Sequence, residues 1–300
     1  MGLSALYQHL HPSARAWADE DTASRIRRVR TDRWIGYARA EAALAALDDV
    51  LSFPKRTRMP NLLLVGQTNN GKTMIVEKFR RSHPPMAATD TVDGVARVPV
   101  LKIQMPSGPD ERRFFGAILE ELGMGQWPRD NLAARQSDAV RLMRLTDVRM
   151  LIIDELHNIL SGTRTQQRRL LNLLRWLGNE LQIPLVGVGT AEALHAIRSD
   201  DQLANRFEPV PLPLWSEGPE YLRLLSTLEA LLPLQKASGL AGPVLAGTIF
   251  TRSEGVLGEI VAIVIRAAVE AISSGTEAIT PRIIERSRFT SPSDRRRVEI

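Results

Sequence analysis

From Gly66 to Thr73 the chain reads GQTNNGKT, a G-x-x-x-x-G-K-T spacing suited to holding a chain of phosphates. Gly66 and Gly71 let the backbone turn tightly and approach an anion that a Cβ would keep away. A helix opening at this point offers free N–H groups and the positive end of its dipole to a β-phosphate. Lys72 brings a mobile point charge to the β and γ oxygens. Thr73 presents a hydroxyl to Mg²⁺. The nucleotide contacts expected here are Gly66, Gln67, Thr68, Asn69, Asn70, Gly71, Lys72, Thr73 and Met74. By composition such a string arises by accident on the order of once in a hundred chains of this length, so its surroundings must decide.

A second group completes the chemistry. MLIIDE ends an apolar run on Asp154 and Glu155. Two adjacent carboxylates repel unless a cation joins them. Asp154 then suits Mg²⁺, and Glu155 suits polarisation of an attacking water. VGVGT ends another apolar run on Thr190, whose hydroxyl can meet a γ-phosphate or the lytic water, or merely close a turn. In DDQLANRF, Arg206 can reach the γ-phosphate held by a neighbouring subunit and stabilise the spread charge of the transition state. Arg198 is the rival for that role, and either can be a plain surface arginine. His157, in DELH, can touch the site but is expected rather to pack near the acidic pair.

These residues need elements to hold them. NLLLV before the glycine-rich loop is a continuous apolar run that reads as a buried parallel strand, with a helix over 71–81 behind it. Further strands are expected at 95–105, 149–155 and 183–190. Helices are expected at 22–30, 38–51, 110–122, 137–147 and 166–181, with Trp176 in the core of the last. Four strands alternating with helices indicate an α/β fold with a mostly parallel sheet. After Trp215 only helices are expected, at 219–232, 242–252, 256–273 and 281–288, the last opened by Thr280 and Pro281. The expected organisation is an N-terminal helical segment (1–52), an α/β core (53–215), a smaller helical domain (216–290) and a frayed polar tail (291–300).

The 300 residues include no cysteine, which excludes disulfides, thiolate metal sites and a cysteine nucleophile. The five histidines show no paired metal spacing, so zinc is not expected. No apolar run approaches the ~18 residues of a membrane span. The opening residues lack the form of a signal peptide, and a cytoplasmic location is expected. The net charge of +5, dominated by arginine, suits phosphate-bearing partners.

GQTNNGKT, MLIIDE, VGVGT and ANRF, in that order and followed by helices, resemble the AAA+ P-loop ATPases. The phrases DRWIGYARAEAALAALDDVL, RMPNLLLVGQTNNGKTMIVEKFRR, QMPSGPDERRFFGAILEELG and DDQLANRFEPVPLPLW are similar to the TniB/TnsC group of bacterial transposition ATPases, TniB above all. That resemblance implies an AAA+ core with a helical lid. It implies ATP and Mg²⁺ as cofactors, with Lys72, Thr73, Asp154 and Glu155 in the phosphate, metal and water-activating roles. It implies assembly as a ring or helical filament around double-stranded DNA, bound with little regard to sequence. The implied partners are a DDE transposase of the TniA/TnsB kind and a TniQ-like protein, with ATP as the assembly switch and hydrolysis as its release. Ile35, Gly36 and Tyr37 fall where AAA+ proteins line the adenine pocket, although the stretch also reads as a hydrophobic turn. Arg112 and Arg113, then Lys102 and Arg129, are the implied contacts to DNA phosphates. Adjacent arginines on a helix also make an ordinary solvated face. Glu259 stands where lids of this kind often carry a sensor arginine, which implies slow hydrolysis dependent on neighbours and DNA. Two other readings remain: a replication-type AAA+ loader or initiator acting on DNA, and a signalling NTPase that never meets DNA.

Overall fold

The computed structural model describes residues 7–124 and 131–297. Five strands form one parallel sheet: β1 (Asn61–Gly66), β2 (Val100–Gln104), β3 (Met150–Asp154), β4 (Leu185–Gly189) and β5 (Phe207–Leu212), in the order β2-β3-β4-β1-β5. β3 and β4 are buried along their whole length, which is why they read as unbroken apolar runs rather than alternating ones. The helices Glu111–Glu121, Leu132–Leu145 and Arg164–Leu181 supply Phe114, Phe115, Met143, Leu170 and Leu174 to the core around them. Asn61 fixes the start of β1 by accepting a hydrogen bond from the Leu185 N–H at 2.9 Å.

β5 is a fifth strand where the sequence indicates four. Its FEPVPL hides the pattern because proline is poor in strands. It is tolerated here because β5 is an edge strand, with β1 as its one neighbour among the described residues. Pro209 and Pro211 stand two residues apart, opposite Leu63 and Val65, so both missing N–H groups fall on the outer side.

Trp176 is corrected by the structure. Leu170, Leu174, Leu177 and Leu181 form the buried stripe of its helix, and Trp176 lies off that stripe at 36% exposure.

Packing divides the chain into two compact units, residues 39–213 and a helical unit that joins residues up to 38 with those from 214 onward. The sequence places these limits at 52/53 and 215/216. The difference has a physical source. The helix Thr22–Arg30 buries Val29 in the same cluster as Trp215, Tyr221, Ile260 and Ile263, so it belongs with the helical unit. Arg25 of that helix is 4% exposed, donates to the Pro233 carbonyl at 2.8 and 3.1 Å and pairs with Glu277. Glu277→Ala strands this guanidinium without its counter-ion, and should destabilise the helical unit by about 3 kcal/mol in thermal unfolding, with Glu277→Gln less severe.

Pro281–Arg286 is capped by the Thr280 side chain, which accepts from Ile283 N–H, as the Thr280-Pro281 pair predicts. The polar tail carries a short helix, Pro292–Arg297, opened by Ser291, whose hydroxyl accepts from Asp294 N–H. Arg295 on it forms an ion pair with the buried Glu259 in the first turn of Leu257–Ser273. Among the described residues no helix is long and apolar enough to cross a membrane.

A candidate nucleotide site

β1, β3 and β4 all end on one edge of the parallel sheet, where ligands of such sheets bind. The loop after β1 turns through two residues in the left-handed region, Asn69 at φ 61° and Gly71 at φ 85°, and Gly71 opens the helix Lys72–Ser82. Gly66 has a separate reason to lack a side chain, because a Cβ there would meet the Leu212 carbonyl oxygen at 2.8 Å. Asn70 is buried and donates to the Leu212 carbonyl at 2.9 Å and the Pro213 carbonyl at 3.1 Å, tying the loop to the end of β5. Gln67, Thr68 and Asn69 are exposed on the open side of the loop, and Met74 lies at 39% exposure on the first helical turn.

Lys72 is folded back into this cradle. Its Nζ donates to the Gly66 carbonyl at 2.9 Å and the Gln67 carbonyl at 2.7 Å. Burial pushes the ammonium below its ordinary pKa, and the carboxylates of Glu155 and Asp154 pull it back up. A partly desolvated cation that donates to neutral carbonyls is well matched to an arriving anion.

At the end of β3, the Thr73 hydroxyl donates to Asp154 Oδ2 at 3.2 Å. Hydroxyl and carboxylate therefore stand together, as a pair of protein ligands for Mg²⁺ should. Among the described residues no group of three or more histidine or acidic side chains could hold a metal alone. Mg²⁺ usually takes one or two protein ligands beside substrate phosphates and water, and Thr73 with Asp154 would supply that number. The residues present thus fit a magnesium triphosphate.

Glu155 adopts φ 55°, a left-handed conformation rare outside glycine, and its N–H donates to Asp154 Oδ1 at 3.0 Å. Its carboxylate Oε2 lies 3.2 Å from His157 Nε2. His157 therefore reaches the acidic pair instead of only packing beside it, and the D-E-x-H spacing was the signal available for it. Among the described residues the Thr190 hydroxyl and His157 Nδ1 are each buried without a hydrogen-bond partner, a state that a ligand or water would relieve.

Lys102 is a correction. It was expected to face DNA, but its side chain on β2 turns inward, with Nζ 2.8 Å from Glu77 Oε1 and 3.5 Å from Asp154 Oδ2. The physical reason is alternation along β2, which points residue 102 towards the carboxylates of the loop helix and β3. Glu77 was missed in the sequence, although it sits one helical turn after Thr73 and so shares its face. Burial raises the Glu77 pKa, but the hydrogen bonds and charges of Lys102 and then Arg80 together outweigh this and hold it below the usual carboxylate range.

The other expected residues lie elsewhere. Arg206 directly precedes β5, at the opposite end of the sheet from the phosphate loop, and donates to Asn179 Oδ1 at 2.7 Å. Arg198 closes the helix Ala191–Arg198 and is exposed. Arg112 and Arg113 are exposed in the first turn of Glu111–Glu121, which Asp110 caps by accepting from the Arg113 N–H at 3.0 Å. Arg129 lies outside the described residues. Ile35 and Tyr37 pack against the core of the helical unit, where the Tyr37 ring meets Trp215 edge-on at 5.2 Å, and Gly36 between them is exposed.

A family model described as Bacterial TniB protein matches residues 25–217. No curated protein matches the chain. Among solved structures, the ORC1 protein of Aeropyrum pernix in complex with DNA is similar at 18% identity and a TM-score of 0.61, over 88% of this chain and 68% of that one. CDC6P from Pyrobaculum aerophilum is similar at 16% identity and a TM-score of 0.62, over 86% and 69%. The Aeropyrum pernix ORC2 protein, in ADPNP and ADP complexes, is similar at 16% identity and a TM-score of 0.59, over 87% and 71%. At these identities the likeness concerns the fold, and it bears out the expected α/β AAA+ P-loop architecture with a helical C-terminal region.

Proposed function

The chain belongs to the TniB family, and from that membership we propose that it is an ATP-driven switch of bacterial DNA transposition, which assembles on target duplex DNA and recruits a DDE transposase and a TniQ-like partner. The observation that carries the nucleotide part of this reading is the Lys72 cradle facing a pre-formed Thr73–Asp154 pair.

When a triphosphate enters, Lys72 leaves the Gly66 and Gln67 carbonyls for the β and γ oxygens, while the loop N–H groups and the helix start hold the phosphates. Thr73 and Asp154 would hold Mg²⁺, which when bound neutralises charge developing on those oxygens. Lys102 balances the Glu77 and Asp154 carboxylates from the far side. Glu155 orients the attacking water and takes its proton, His157 keeps the Glu155 carboxylate in place, and the Thr190 hydroxyl has a free donor for the water or the γ-phosphate. Arg206 acts on the nucleotide of another copy, because the length of the sheet separates it from the loop of its own chain. ATP-bound chains then assemble with themselves, in the bacterial cytoplasm, and hydrolysis releases them.

Arg112 and Arg113 are proposed to contact DNA phosphates without reading bases. Fluorescence anisotropy with duplex DNA tests this. Binding should require ATP and weaken steeply with salt, and removing both arginines should reduce the slope of log Kd against log salt by about 1 to 2. The same slope in parent and variant would move the DNA contact elsewhere. ATP hydrolysis stimulated by duplex DNA supports the transposition reading over a signalling NTPase, and hydrolysis indifferent to DNA counts against it.

A further inference from the structure

At the amino end of β1 and β5, away from the phosphate loop, lies a cleft of about 620 Å³ lined by Arg56, Arg58, Asn205, Arg206 and Glu208 among others. Its charge is unbalanced. Three guanidinium groups face one carboxylate. Asn179 holds Arg206 in place through a neutral oxygen at 2.7 Å. Arg56 rests on the Phe53 ring at 4.8 Å. Among the described residues Arg58 has no hydrogen-bonding or ion-pair partner and is exposed. Arg58 and Arg206 line this same cleft, and desolvation, then the charges of Arg58 and Arg175, push the Arg206 guanidinium below its ordinary pKa against the opposing pull of Asp200. Cations gathered this way, with a neutral residue positioning one of them, fit a multiply charged anion.

The place of the cleft selects the anion. The phosphate loop is at the carboxyl ends of the strands and the cleft at the amino ends, so one chain cannot bring both to the same nucleotide. Copies stacked head to tail set opposite faces of neighbouring chains against each other. We propose that Arg58 works beside Arg206 as a second cation, in a cleft that receives the terminal phosphates of the nucleotide held by another copy of this chain. This rests on the nucleotide-switch reading and adds to it Arg58, the first residue of the RMPNLLLV stretch, to which the sequence alone assigns no role. Arg58 supplies charge and the forked donor geometry that a lysine lacks, so Arg58→Lys should recover only part of the effect of the arginine.

The test uses the full chain in three forms: the parent, Arg58→Ala and Lys72→Ala. A dilute Arg58→Ala chain should retain a fluorescent ATP analogue as the parent does, which also shows that it is folded. Its assembly-stimulated hydrolysis should fall on the order of 10-fold or more. Mixed with Lys72→Ala, which keeps an intact cleft but no nucleotide, it should regain part of that activity, although neither variant has it alone. Parent-like hydrolysis by Arg58→Ala would overturn the proposal. So would a loss that mixing does not repair, or a loss of nucleotide retention by the dilute chain. Normal hydrolysis with weaker, less salt-sensitive DNA binding would make the cleft a DNA-backbone site and also overturn it. If the parent itself neither hydrolyses ATP nor assembles, the nucleotide-switch reading fails and the cleft's role falls with it. A parent that does both, beside an unaffected Arg58→Ala, sinks only the cleft.

Discussion

Glu155→Gln should stop hydrolysis and leave assemblies that no longer come apart. The substitution keeps size and hydrogen-bonding capacity and removes only the ability to accept a proton. Phosphate release should fall by about 10²- to 10⁴-fold, the usual contribution of a positioned base. Binding should survive, because on the proposed reading the loop, Thr73 and Asp154 would hold the phosphates and Mg²⁺, and Glu155 would not. The left-handed backbone at Glu155 supports this division, since strain of that kind is kept where a side chain must be aimed. Its carboxylate lies 3.2 Å from His157 Nε2. Phosphate-release kinetics and light scattering after excess ADP is added check both halves. Prompt disassembly of the glutamine variant would separate release from hydrolysis.

Lys72→Ala should act one step earlier. Nζ is the mobile cation of the cradle, and its loss removes a charge-assisted contact to the phosphates of about 3 kcal/mol, or roughly 100-fold in affinity. It also uncouples the loop, because the same Nζ ties the Gly66 and Gln67 carbonyls together. Titration with a fluorescent ATP analogue should show the loss, and ATP-dependent assembly should fail at nucleotide concentrations that saturate the parent.

The parts of this site that were legible in the sequence obey local rules. The phosphate loop carries its chemistry within eight consecutive residues. Asp154 and Glu155 announce themselves by ending an apolar run that only a buried strand would need. Long-range packing hid the rest. Lys102 finds Glu77 across 25 positions of sequence, so its inward orientation follows from the sheet and not from its neighbours. β5 escaped notice because Pro209 and Pro211 mask a strand, and their harmlessness depends on its being at the edge. Val29 belongs to the helical unit because it shares a buried cluster with Tyr221 and Ile260, which lie far along the chain. Arg58 opens the RMPNLLLV stretch 148 positions before Arg206, and only the fold sets the two in one cleft.

The central claim is that a magnesium triphosphate between the Lys72 cradle and the Thr73–Asp154 pair turns separate chains into an assembly on DNA. Electron microscopy of the parent and Lys72→Ala on one duplex, each with Mg²⁺ and a slowly hydrolysed ATP analogue, with ADP or with no nucleotide, addresses it most directly. The account predicts ordered assemblies only for the parent with the ATP analogue. Equal assemblies from Lys72→Ala, or from the parent without nucleotide, would contradict it.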